Sequence, residues 1–240
     1  IGTMDIVMNF PYQTLKDYYH KWYRPDLQGI IIVGDIDADK TEKKLKEIFN
    51  TIPKPENAAE RIYYTVPDNK EPIIAIAKDK EATGSQVTVY YKHKPMTKEL
   101  KATIAGIAGI YLKSVTSMML NDRLKEISEK PNAPFMSAYS YDANFIVSKT
   151  MDAFTTMAVS KEGETQKALK ALLQETERVN RFGFTESEYE RAKANLLSMI
   201  ESMYKEREKQ KNNSYVEEYV SHFTDGGSIC GIETDYMLLN

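Results

Sequence analysis

This 240-residue chain holds one cysteine, Cys230, which excludes an internal disulfide and any cysteine-rich metal knuckle within it. An excess of charge is missing too. Lys and Arg number 32 against 35 Asp and Glu, and a net charge of −3 gives no electrostatic grip on nucleic acid or anionic lipid. Apolar runs such as Thr103–Leu112 are too short and too interrupted to span a bilayer. The start, Ile1-Gly2-Thr3-Met4, lacks the charged residues and apolar stretch of an export signal, and reads as the edge of a piece cut from a longer protein. The scarcity of cysteine fits the cytosol and also an envelope protein; the bacterial periplasm or cell envelope is favoured over the cytoplasm. What is present, 42% hydrophobic and 28% charged residues, is the composition of an ordinary globular chain with room for one large or two small domains.

Motifs that carry chemistry are also scarce. Zinc hydrolysis needs two ligands on one helical face, a third from elsewhere and a base beside the metal-bound water. His20, His93 and His222 lie far apart, and neither H-E-x-x-H nor H-x-x-E-H occurs. Glu218 and His222, four residues apart, offer two ligands without an obvious third, and an ordinary solvated helix pair explains them. Asp35, Asp37 and Asp39 imitate the opening of a calcium loop, but the sixth position is Lys40 instead of Gly and the twelfth is Lys46 instead of Glu. Cys230 has no histidine near it in sequence except His222, and there is no G-x-S-x-G elbow. Gly226-Gly227 runs into Ser228-Ile229 without the lysine of a phosphate loop. The charge run Arg207–Lys211 reads as a solvated helical face. No residue is therefore assigned a catalytic, cofactor-binding or metal-ligating role. One alternative keeps a free-standing enzyme with a site around His222, Glu218 and Asp225.

Periodicity supplies the elements. Pro11–Trp22 reads as an aromatic helix that ends before Arg24-Pro25, because a residue preceding proline avoids helical angles. Ile30–Val33, four consecutive aliphatics, predicts a strand buried on both faces. Asp39 with Glu42 has capping-box spacing for a helix that Pro53 and Pro55 end. Beyond the proline-rich stretch 53–60, Ile62–Val66, Pro72–Ala77 and Gln86–Lys92 predict strands. In these strands the pairs Tyr63-Tyr64 and Tyr90-Tyr91 would each send one ring to the core and one to the surface. Lys98–Ile127 predicts one long helix, in which Gly106 and Gly109 weaken the helix or admit a close neighbour. Strands at Met136–Tyr141 and Lys149–Val159 follow. A helix from Gly163 to Phe182, another capped by Thr185 and running past Glu206, and a shorter one over Asn213–His222 complete an α+β design with helices on one face of a mostly antiparallel sheet.

The most distinctive stretch is Lys21-Trp22-Tyr23-Arg24-Pro25-Asp26-Leu27, leading through Gly29-Ile30-Ile31-Ile32-Val33 to Gly34-Asp35. In content and order it resembles the end of the first domain in the pitrilysin or insulinase family of zinc metallopeptidases, whose relatives include mitochondrial processing peptidase. The resemblance covers nearly the whole chain. It implies that residues 1–52 close a preceding, catalytic-type domain, that 53–60 are a linker, that 61–222 form an inactive peptidase-like domain, and that 223–240 connect to the other half of the parent protein. It also implies zinc in the parent and none in this piece, peptide substrates, a zinc-bearing domain of the same parent chain as partner, and a role in the wall of a substrate chamber. Active relatives carry an Arg and, seven residues later, a Tyr that hold substrate. Alignment through Arg123-Leu124-Lys125-Glu126-Ile127 places Ser128 and Phe135 there, so the pair is expected to be absent. The alternative within the same fold is a non-peptidase module for peptide binding or assembly.

Overall fold

A computed structural model describes residues 2–239. Its helices are α1 (Met4–Asn9), α2 (Tyr12–Trp22), α3 (Ala38–Phe49), α4 (Lys98–Lys101), α5 (Ile104–Ser128), α6 (Thr165–Phe182), α7 (Glu186–Lys205), α8 (Asn212–Asp225) and α9 (Gly231–Leu239). Its strands are β1 (Ser85–His93), β2 (Ser137–Asn144) and β3 (Asp152–Ser160). The chain divides into two compact units. One comprises the chain up to Ile62 together with Gln210–Asp225, the other Tyr63–Lys209 together with the chain from Gly226.

The second unit is α+β. Its antiparallel sheet has the order β1-β3-β2, in register from Ser85↔Ser160 to His93↔Asp152 and from Ser137↔Val159 to Asn144↔Asp152. Because strand side chains alternate, Phe154 and Ala158 face α5 and α6, while Thr155 and Met157 share the opposite face with Tyr90, Tyr139 and Tyr141. The core lies on the helix side, where Leu120 and Leu124 of α5, Phe135, Ala158, Ala168 and Leu172 are fully enclosed. Burying one such Leu or Phe side chain contributes about 1.5–3 kcal/mol. A satellite cluster of Val115, Met119 and Ala192 joins α5 to α7.

Local signals place the ends of these elements. Thr185 caps α7 in a full capping box with Glu188, and Gly183 ends α6 at φ 65°, a conformation that favours glycine. The predicted long helix is interrupted: α4 stops at Lys101, and Thr103 starts α5 by accepting from Gly106 N while donating to Leu100 O at 2.7 Å. Gly106 is there for close approach, since a Cβ would lie 2.1 Å from the Leu100 carbonyl oxygen.

The first unit is different. Arg24 is its one buried residue among those described, and donates to the Ala59 carbonyl at 2.7 Å. Helix α2 ends at Trp22 and Arg24 is extended before Pro25, as read from the sequence. Asp37 caps α3 in place of Asp39, because the helix begins at Ala38 and Asp37 reaches Lys40 N at 3.0 Å. The strands expected at Ile30–Val33, Ile62–Val66 and Pro72–Ala77 do not form. None of the three shares a ladder with another strand among the described residues, and in the second unit Tyr63 and Tyr64 are both exposed.

Candidate functional site

The three histidines are not brought into a ligand set. His20 lies on α2, His93 ends β1 and His222 lies on α8. Among the described residues no group of three His, Cys, Asp or Glu side chains is arranged to hold a metal ion. Glu218 and His222 share α8 with Asp225, whose carboxylate accepts from Thr224 Oγ1 at 2.6 Å. Asp37 is occupied as a helix cap and pairs with Lys40 Nζ at 3.0 Å; the Lys40 backbone N–H holds its carboxyl below the usual carboxylate range. Cys230 is exposed. At the positions aligned with the substrate-holding pair, Ser128 Oγ donates to Lys125 O at 2.7 Å, and Phe135 is 0% exposed in the core. Neither side chain has the charge or reach to hold a peptide.

His93 belongs to a polar cluster at one end of the sheet, below α5. Its Nε2 lies 2.8 Å from Asp142 Oδ2 and its Nδ1 3.0 Å from the Lys94 carbonyl oxygen, so both ring nitrogens face oxygens of the protein. Lys113 of α5 reaches Asp142 Oδ1 at 2.6 Å and Asp152 Oδ2 at 4.0 Å, while Asn144 donates to Asp152 Oδ1 at 3.0 Å. The cluster ties β1, β2 and β3 to α5. A zinc site does not fit these residues, because a cationic amine sits between the two carboxylates.

A second group of buried charges surrounds Arg123, a residue that served in the sequence only to anchor the alignment. Its guanidinium forks onto Glu188, through Nε to Oε1 and through Nη2 to Oε2 at 2.8 Å. It also donates to the Gly183 carbonyl at 3.1 Å and to Glu175 Oε1 at 3.3 Å, and lies 4.7 Å from the Phe184 ring centre. Arg123 beside Glu188 lowers that carboxyl from 4.5 to about 2, and Glu188 in turn raises the guanidinium. The capping box revealed Glu188 as a local partner of Thr185; nothing in the sequence linked it to a cation 65 positions away. This arrangement fastens α5 to the α6–α7 corner and leaves no group open for acid–base work.

Two open surfaces remain on the second unit. A groove of about 1270 Å³ runs beside α6, with Tyr91, Phe154, Leu169, Leu173 and Val179 among its lining. On the sheet face away from α5 and α6, Tyr139 and Tyr141 stack at 6.0 Å, Tyr139 Oη donates to Met157 Sδ at 3.0 Å, and Tyr90 meets Phe145 edge-on at 5.3 Å. Neither surface contains a nucleophile paired with a base.

Comparison with known proteins gives a consistent result. The family described as the peptidase M16 inactive domain matches residues 9–196. The zinc protease PQQL-like of Arabidopsis thaliana is 28% identical over 239 residues, 99% of this chain and 22% of that protein. Among solved structures, the periplasmic protease PqqL from Escherichia coli superposes with a TM-score of 0.77 at 20% identity, covering 100% of this chain and 26% of that one. The first half of the same protease gives 0.74 at 19% identity, covering 99% of this chain and 50% of that one. The solved structures match the fold, which is that of insulinase-type proteases. The chain spans about a fifth of the length of the curated relative.

Proposed function

The chain belongs to the peptidase M16 inactive-domain family, and from that premise we propose that it is the non-catalytic part of a longer zinc metalloendopeptidase. The family match over residues 9–196 carries this reading. Residues 1–52 would close the preceding zinc-bearing domain, 53–60 link, 61–222 form the inactive domain and 223–240 lead to the next half. The exposed isoleucines of Ile30–Val33 in a unit without an apolar core support that division, because such a segment needs sheet neighbours supplied from elsewhere. Zinc and the base that activates water would reside in the preceding domain. This chain contributes a wall: its sheet, its tyrosine face and its helices enclose peptide substrates and exclude folded proteins by size. The compartment proposed is the bacterial periplasm, the location of the Escherichia coli protease it superposes on.

Elemental analysis and peptide cleavage test this directly. The 240-residue chain is expected to carry no stoichiometric zinc and to cleave no peptide, while the longer protein cleaves peptides in a chelator-sensitive way. Stoichiometric zinc in the chain, or chelator-sensitive cleavage by the chain alone, would overturn the reading. A longer protein that binds peptides without cleaving them would favour the assembly role instead.

A further inference from the structure

We infer that Pro72–Ala77 is a strand that pairs outside this chain, on a sheet edge of the zinc-bearing domain covered by apolar layers on both faces. The inference rests on the reading that such a domain accompanies this chain. Ile73, Ile74 and Ile76 are 78%, 82% and 80% exposed. In a strand successive side chains point to opposite faces, so once paired Ile73 with Ala75 would present one apolar face and Ile74 with Ile76 the other. A segment apolar on both sides matches a strand in a sheet buried on both sides. Its surroundings suit that role. Pro72 occupies the first position, where a strand tolerates a missing N–H, and Glu71, Lys78, Asp79 and Lys80 flank the apolar run with charge, as gatekeepers of exposed strands do. Beyond it, Asp79 turns the chain, its carboxylate accepting from Glu81 N at 2.8 Å.

The chain's own sheet is a poor host. Among the described residues no strand pairs with the outer edge of β1, which is close in sequence, but α5 and α6 cover only the face of Phe154 and Ala158, and Tyr90, Tyr139 and Tyr141 are exposed on the other. A strand added there would bury one face and leave the other in water. The solved first half of a protease that superposes on this whole chain is twice as long as the part covered, which leaves as much protein again to supply a sheet.

The test measures binding of the 240-residue chain to the zinc-bearing domain encoded with it, by titration calorimetry. Ile73→Asp and Ile74→Asp are each expected to weaken the complex at least about 100-fold, because each buries a charge on one of the two faces. Ile104→Asp, at an exposed isoleucine on α5, is expected to change it by no more than about 2-fold. Unchanged thermal melts of the free variants would show that folding is intact, and backbone amides 73–77 should exchange slowly only in the complex. Loss with one of the two variants alone, or with neither, overturns the inference and leaves the proposed function standing. A wild-type chain that does not bind overturns both.

Discussion

The two units differ in where their apolar residues find partners. In the second unit Leu120, Leu124, Phe135, Ala158 and Leu172 enclose one another. In the first, Ile30, Ile32, Ile48, Phe49, Tyr18 and Tyr19 are exposed, and the buried residue is a charged one, Arg24. Both carry regular amphipathic patterns in sequence. The contrast teaches that an apolar pattern states a demand for burial without saying which part of a protein meets it.

The contrast is open to attack by substitution. Phe135→Ala should cost the second unit about 4 kcal/mol, read as a lower denaturation midpoint by circular dichroism, since a large core side chain leaves a cavity. Arg123→Met should cost about 3 kcal/mol by leaving Glu188 without its cation and Glu175 with Arg178 alone. This second effect depends on pH. The Glu188 carboxyl is lowered from 4.5 to about 2, so its contribution is present above about 4.5 and is lost as pH falls towards 2. Midpoints measured at pH 7 and at pH 2.5 should therefore differ more in the wild type than in Arg123→Met. Thr185→Ala, which removes the α7 cap, should cost about 1 kcal/mol in the same assay. Ile32→Ala should cost under about 0.5 kcal/mol, followed by the fluorescence of Trp22, the sole tryptophan, which lies in the first unit. A loss at Ile32 as large as that at Phe135 would mean that the first unit has a core after all.

Legibility followed the same division. The Thr185 cap, the stop at Gly183 and strand β1 could be read because each signal acts within a few residues. Asp37 displaced Asp39 as the α3 cap because two carboxylates two residues apart compete for one helix start, and only backbone geometry chooses between them. The break before α5 escaped notice since Thr103 lies within an otherwise helical pattern, and its hydroxyl decided the matter by bonding to both sides of the break. Ile30–Val33, Ile62–Val66 and Pro72–Ala77 had strand composition but no ladder to join. At the candidate site, the scattering of the histidines was visible in sequence. The Arg123 fork and the His93–Asp142–Lys113 cluster were not, because their members come from elements tens of residues apart.

The strand order also sets a timetable. β3 lies between β1 and β2, so β1 has no ladder partner until β3 exists, and its first residue waits for one 75 positions downstream. β2 and β3 are joined by a short turn and can zip locally, whereas β1 must close a long loop across α5, a step that contact order makes slow. During synthesis the earliest strand to emerge is thus the last to be sheltered. Until Phe154, Thr156 and Ala158 follow them out, Tyr91, Val89 and Val87 stand unpaired, which makes this interval the time at which a nascent chain is most exposed to aggregation and most dependent on chaperones.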